Sequence, residues 1–272
     1  MPRVTCVCFA LICLSAARLL AGDLLRLDDY GADDTVFLSL PAIQPKAAVL
    51  LVPDAMADPA VVASRCDLLA RLGYIAAAVD FYNGRVAEDQ AEAAQIQKQL
   101  LPKTSLQTLK AAGKLLCQSP RYRTEKLVLA VWGDNLSLVL QALQDPVTAA
   151  HVQVLTWMEP TGRLQPGELA TLPAGVLILY DRKLETSNFN DYLAALKNSR
   201  GAAAEFYPLA CEPGYLMKGK DSEATADAWS SVIKYWQSVL QGQSPAANAT
   251  HGAFSPEAPL TPSPAASMRF KR

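Results

Sequence analysis

The sequence predicts an α/β domain with a mostly parallel central sheet and helices on both faces. Three observations carry that reading. Short apolar runs alternate with amphipathic helical patterns along most of the chain, which is the order of βαβ units joined by right-handed crossovers. The runs at 47–52 (AAVLLV), 74–79 (YIAAAV) and 126–132 (KLVLAVW) are apolar at nearly every position, as strands covered on both faces must be. With 272 residues, 51% of them hydrophobic, the chain can bury a sizeable core.

The elements follow in order. Residues 23–41 alternate weakly around Gly31-Ala32-Asp33-Asp34 and read as a hairpin of edge strands. The strand at 47–52 ends at Pro53-Asp54, and Asp58-Pro59 opens a helix that Gly73 closes near residue 72. The strand at 74–79 ends at Asp80, and two helical patterns cover 88–101 and 104–116. A third buried strand covers 126–132, a helix 135–143, and further strands 152–158 and 175–180. A helix at 189–197, a short strand at 204–207 and a helix at 223–240, with Trp229, Ile233, Trp236 and Leu240 at core-facing spacing, complete the pattern.

Composition narrows the function. Lys and Arg number 25 against 26 Asp and Glu, so no basic excess exists to neutralise phosphates, and nucleic acid is not an expected partner. Residues 1–22 read as a cleavable signal peptide. A basic start (Met1-Pro2-Arg3) precedes an apolar run over 4–14 and the small residues Ser15-Ala16-Ala17. That run is short for a membrane span. A secreted, periplasmic or luminal domain over 23–241 is therefore expected, without membrane association once the signal is removed. The Pro/Ala/Ser-rich stretch 242–272 has the composition of a disordered tail. Cys66, Cys117 and Cys211 remain after the signal is removed, without C-x-x-C spacing, and are expected to pack as buried thiols. With two His in the chain, no metal site and no cofactor are expected. No particular oligomeric state is implied.

Residues 47–84, with Gly73-Tyr74 entering a strand and Asp80-Phe81-Tyr82 leaving it, and the last helix with Ala228-Trp229 in its first half, resemble the dienelactone hydrolase family of the α/β-hydrolase superfamily. The resemblance spans about residues 47–240. It implies a nucleophile elbow written G-x-C-x-G or G-x-S-x-G after the strand at 126–132. It also implies a His in an H-G-[FY] loop after the last strand, and an Asp after the strand at 175–180.

The residues at those places depart from the pattern. The elbow reads Gly133-Asp134-Asn135-Leu136-Ser137, which puts Asn135 at the nucleophile position. Asn tolerates positive φ and is expected to keep the elbow's shape, but its carboxamide cannot attack a carbonyl as a thiolate does. The loop Cys211-Glu212-Pro213-Gly214-Tyr215 puts Pro213 where the His should be. His151 precedes the strand at 152–158 and His251 lies in the tail, so neither is expected at the elbow. Asp181 is a shifted acid or a strand-end cap. Ser137 and Cys211 are the alternative nucleophiles. Ser137 would need branched Val139 at a crowded position of a shifted elbow, and Cys211 has Glu212 beside it rather than a positive charge. Asn135-Leu136-Ser137 and Asn248-Ala249-Thr250 are glycosylation sequons, the first expected to be buried.

No catalytic residue is therefore expected. Open α/β sheets place sites at the carboxyl ends of their strands. The resemblance makes Asp54 the acid beside the elbow and Arg85, shortly after Tyr82, a substrate-carboxylate arginine. Backbone N–H groups near Ala55 and Met56 and after Asn135 would form an oxyanion hole. The expected pocket consists of Asp54, Ala55, Met56, Tyr82, Arg85, Asp134, Asn135, Leu136 and Tyr215. The expected function is non-catalytic binding of a small carbonyl or carboxylate compound, or of a partner. The alternatives are an ester or lactone hydrolase with a non-standard site, and a structural or interaction protein whose Pro-rich tail recruits partners.

Overall fold

The computed structural model describes residues 22–160, 175–181, 203–209, 215–217 and 223–242. Their strands form one eight-stranded sheet in the order β1-β2-β4-β3-β5-β6-β7-β8. The strands are β1 (Asp23–Arg26), β2 (Thr35–Ser39), β3 (Ala48–Val52), β4 (Ile75–Val79), β5 (Leu127–Trp132), β6 (Val152–Met158), β7 (Gly175–Asp181) and β8 (Ala203–Leu209). The hairpin strands β1 and β2 pair antiparallel with each other, and β2 pairs antiparallel with β4. Every other pairing is parallel.

Helices α1 (Pro59–Arg71), α2 (Gln90–Lys98), α3 (Pro102–Gln118), α4 (Leu136–Ala142), α5 (Pro146–His151) and α6 (Glu223–Leu240) connect and cover the strands. Their starts follow from local chemistry. The Asp58 carboxylate accepts from the Ala60 N–H at 2.8 Å and Pro59 occupies the first turn, where its missing N–H costs nothing. Asp89 accepts from the Glu92 N–H at 2.8 Å, so α2 begins two residues later than its apolar pattern suggests. Gly73, with φ +93°, turns the chain from α1 into β4.

The alternation of side chains along each strand divides the core in two. Leu50, Val52, Leu129, Val131, Leu155 and Trp157 face α3 and α4. Val49, Leu51, Val128, Ala130, Trp132 and Met158 face α1 and α6. Cys66 and Cys117 lie free, one in each layer. Burial pushes both thiols up, Cys117 to about 12, which withholds the reactive thiolate. In a chain without residues 1–22 and carrying Cys211→Ser, Ellman's reagent at pH 8 is therefore expected to label no thiol until denaturant unfolds the domain. Prompt labelling of the native protein would contradict this packing.

Four details differ from the sequence reading. α5 was not anticipated, although Asp145-Pro146 repeats the Asp58-Pro59 start; the Asp145 carboxylate accepts from the Thr148 N–H and hydroxyl at 3.2 and 2.9 Å. β8 runs to Leu209 rather than ending at Tyr207. Asp181 is the last residue of β7, paired with Leu209, rather than a loop residue. The segment expected to be helical from 135 begins as a tight 3-10 turn, Gly133–Asn135. The expected helix at 189–197, the signal segment 1–21 and the tail 243–272 lie outside the described residues.

The chain leaves β3 toward β4 on one side and returns to β5 on the other. The strand order therefore reverses between β3 and β5, and the crevice beyond their carboxyl ends is where such sheets hold ligands.

Candidate functional site

Two sequence features build the floor of that crevice. Pro53 and Asp54 leave β3, and the Asp54 carboxylate closes a turn by accepting from the Met56 N–H at 3.0 Å. Asp80 leaves β4 and accepts from the N–H groups of Tyr82 at 2.9 Å and Gly84 at 2.7 Å. Asn83 and Gly84 take positive φ, 54° and 75°, a conformation that Asn and Gly adopt most readily. This turn sends Tyr82 inward, leaving it 6% exposed.

Asn135 stands at the end of β5 and is 2% exposed. Its Nδ2 donates to the Pro53 carbonyl at 2.7 Å and to the Tyr82 hydroxyl at 3.2 Å. The Tyr82 hydroxyl in turn lies 3.4 Å from Asn135 Oδ1. The carboxamide thus ties β3, β5 and the loop after β4 together across the switch point. Burial, most of all, pushes the Tyr82 hydroxyl well above its ordinary range; the bond to Asn135 opposes this, and the negative charges of Asp54, Asp134 and Asp80 add to it. Tyr82 is therefore a neutral phenol at physiological pH.

The expected elbow geometry is corrected. Asn135 has φ −68° and ψ −7°, ordinary helical values, and the positive φ of 55° falls on Gly133. The Gly133 carbonyl accepts from Trp157 Nε1 at 2.7 Å. The glycine absorbs the left-handed turn at low cost, so Asn135 is not presented on a strained corner. Its buried amide also disfavours use of the first sequon.

A pocket of about 230 Å³ opens beside this bridge, between the β1–β2 hairpin, the end of β4 and the start of α1. Asp54, Tyr82 and Arg85 line it, with Phe37, Val62 and Ala63 among its apolar walls. Other residues proposed for it from the sequence lie elsewhere. Ala55 and Met56 pack with Tyr82, Ala87, Ala93 and Ile96 in a small cluster behind the pocket wall. Leu136 belongs to the core facing α3. Asp134 is exposed and Asn135 lies behind Tyr82; among the described residues neither lines the cavity. Tyr215 opens a 3-10 turn (Tyr215–Met217), while Cys211 and Pro213 lie outside the described residues. Arg85 is exposed, and its Nη1 donates to Gln99 Oε1 at 2.7 Å.

The groups of acyl transfer do not assemble among the described residues. Ser137 is exposed, with its hydroxyl 3.4 Å from the Asp134 carbonyl. The one described His, His151, ends α5 at the amino end of β6, its Nδ1 2.8 Å from the Val147 carbonyl. No described group of His, Cys, Asp and Glu has the arrangement of a metal site, and no described helix is long and apolar enough to cross a membrane.

Sequence reasoning missed several residues here. Asp34, Phe37 and Asp80 line the pocket; the antiparallel hairpin brings the first two against β4, and Asp80 follows β4 directly. Glu159 follows β6 directly, is 5% exposed, has φ 52°, and donates its N–H to the Leu179 carbonyl at 2.8 Å. A buried acid in a left-handed conformation at a strand's carboxyl end is the kind of strain that collects at ligand sites. The only sequence signal for it was an acid directly after a buried strand.

An eight-stranded, mostly parallel sheet of this order, covered on both faces and turning sharply after β5, defines an α/β-hydrolase fold. Residues 35–153 match the model of the Dienelactone hydrolase family, so this part of the chain is similar to that family. Solved structures agree. A protein from Klebsiella pneumoniae subsp. pneumoniae assigned as a dienelactone hydrolase superposes with a TM-score of 0.63 at 14% identity, over 79% of this chain and 98% of that one. A dienelactone hydrolase-like promiscuous phosphotriesterase from metagenomic libraries gives 0.60 at 15% identity, over 80% and 98%. Dienelactone hydrolase from Anabaena variabilis gives 0.59 at 14% identity, over 80% and 98%. At these identities the likeness is one of fold. A search of the curated proteins gives no match.

Proposed function

We propose that this chain is an exported, dienelactone hydrolase-like protein that has lost acyl-transfer chemistry and uses the carboxyl end of its sheet to bind a small organic molecule. One observation carries the reading: the position of the attacking group is filled by a buried carboxamide whose donors are already spent on Pro53 and Tyr82. A group so engaged is neither nucleophile nor base. Export rests on the signal-like segment 1–22.

A carbonyl compound is a better candidate ligand than a carboxylate. Asp54 and Asp80 border the cavity, and the arginine that a carboxylate would need is engaged with Gln99.

The test is hydrolysis of p-nitrophenyl acetate and of a dienelactone by the mature chain and by Asn135→Cys. Neither protein is expected to exceed a denatured sample, because the new thiol would have no imidazole to deprotonate it. Turnover by the unaltered chain that disappears in Ser137→Ala, Cys211→Ala or Glu159→Gln would overturn the proposal and identify the group responsible.

A further inference from the structure

We infer that the exported chain begins at Gly22: its leader is cut at the Ala21–Gly22 bond, and the α-ammonium so freed is held by Asp67 on α1. The inference rests on the export proposed above and specifies where processing falls, one residue before the boundary that composition suggests.

Gly22 is closely packed between the edge hairpin and α1. A Cβ at this position would collide with the Phe37 ring and the Ser39 hydroxyl, so a residue with a side chain fits there only if β2 gives way. The Gly22 N–H donates to Asp67 Oδ1 at 3.2 Å, and the Ser39 hydroxyl donates to the same oxygen at 2.6 Å. Ser39 is buried and Asp67 half-buried. The Gly22 nitrogen is therefore fixed at a carboxylate. Gly22 also lies against Phe37, a wall of the pocket, so this anchor ties the pocket's hairpin side to α1.

Charge decides which form of that nitrogen suits the place. The hydrogen-bond partners of Asp67 are the Gly22 N–H and the Ser39 hydroxyl, both neutral. Among the described residues no Lys or Arg forms an ion pair with it, Arg71 one turn further along α1 included. A half-buried carboxylate with neutral donors gains from a cation, because charge-assisted hydrogen bonds are the stronger ones. Hydrolysis of the bond before Gly22 supplies that cation. A signal peptidase adds water across Ala21–Gly22. The water's oxygen stays on the Ala21 carboxylate and its two protons go to the Gly22 nitrogen, which becomes an ammonium with three donors in place of one. The neighbouring carboxylate favours this charged form.

The sequence allows the cut, with the small residues Ala21 before it and Gly22 after it. Ser15-Ala16-Ala17 has the same character. A cut after Ala17 would leave the Gly22 nitrogen an amide and Asp67 without its cation. A cut after Gly22 would remove the nitrogen that Asp67 holds. Cleavage between residues 21 and 22 places the new charge at the carboxylate.

Expression of the full chain in a secreting host, with intact mass and N-terminal sequencing of the exported protein, tests this. A chain beginning at Gly22 is expected. One beginning at Arg18 or Asp23 would overturn the inference and leave export standing. A chain retained in the cell with its leader attached would remove both. The ion pair has a separate readout. Acetylation of the α-amine at pH 7 is expected to run about fivefold faster in Asp67→Asn than in the parent, because the carboxamide still accepts from Ser39 but carries no charge. Lysine acetylation and the circular dichroism spectrum are expected to be unchanged. Equal α-amine rates in the two proteins would overturn the pairing with Asp67, and with it the inference.

Discussion

Asn135→Asp is expected to destabilise the fold by about 4 kcal/mol at neutral pH, and to return most of that loss in mild acid. The substitution is nearly isosteric, so packing is preserved and only the chemistry of one buried group changes. The amide donates to the Pro53 carbonyl at 2.7 Å; an ionised carboxylate would set two acceptors against each other there. The new charge would be buried and would share the field of Asp54, Asp134 and Asp80 that already acts on Tyr82. Desolvation and like charge both raise a carboxyl's pKa, and each unit above the unfolded value of about 3.9 corresponds to about 1.4 kcal/mol. Because the folded state of the variant holds its proton more tightly than the unfolded state, the charge-dependent part of the deficit is absent below about pH 4. It grows as pH rises and is complete above the folded-state pKa. Urea midpoints of both proteins at intervals from pH 4 to 8 give the curve. A deficit constant across that range would mean that the position is hydrated and the bridge unimportant.

Trp236→Ala is expected to cost about 4 kcal/mol. Trp236 is fully buried and locks α6 to the sheet. Its ring meets Tyr74 and Trp229 edge-on, at centroid distances of 6.3 and 6.4 Å. Its Nε1 donates to the hydroxyl of Thr156, also buried, at 2.7 Å. Truncation leaves both a cavity and a hydroxyl without its donor, and each is costly. Trp236→Phe keeps most of the volume and loses the hydrogen bond, so about 1–2 kcal/mol is expected. Guanidinium unfolding of the three proteins separates these contributions. A loss below about 1 kcal/mol for the alanine variant would contradict the packing of α6 against β6.

The β strands were legible because burial on two faces demands apolar residues at nearly every position, as in 48–52 and 127–132. The helix starts were legible wherever a carboxylate preceded a proline, at Asp58 and again at Asp145, where the same signal passed unread. That the chain has only two His, and an Asn in the turn after β5, are matters of residue identity, and identity is what a sequence states outright.

The pocket was legible only in part. Asp54, Tyr82 and Arg85 stand where strands β3 and β4 end, and such ends can be found from local pattern. Ala55, Met56 and Leu136 stand beside them in sequence yet turn into the core, because the bonds at Asp54 and Asp80 decide which side of each loop faces inward. Asp34 and Phe37 reach the pocket through antiparallel pairing of β2 with β4, a contact between residues about forty positions apart that no local pattern encodes. The chain's sequence by itself therefore determined its fold class and the scarcity of imidazole in the chain. The tertiary structure alone decided that Asn135 becomes a bridge in ordinary helical geometry, with Gly133 taking the left-handed turn. It also decided that the cavity opens toward the edge hairpin, since both outcomes depend on hydrogen bonds between strand ends that meet only after the sheet is assembled.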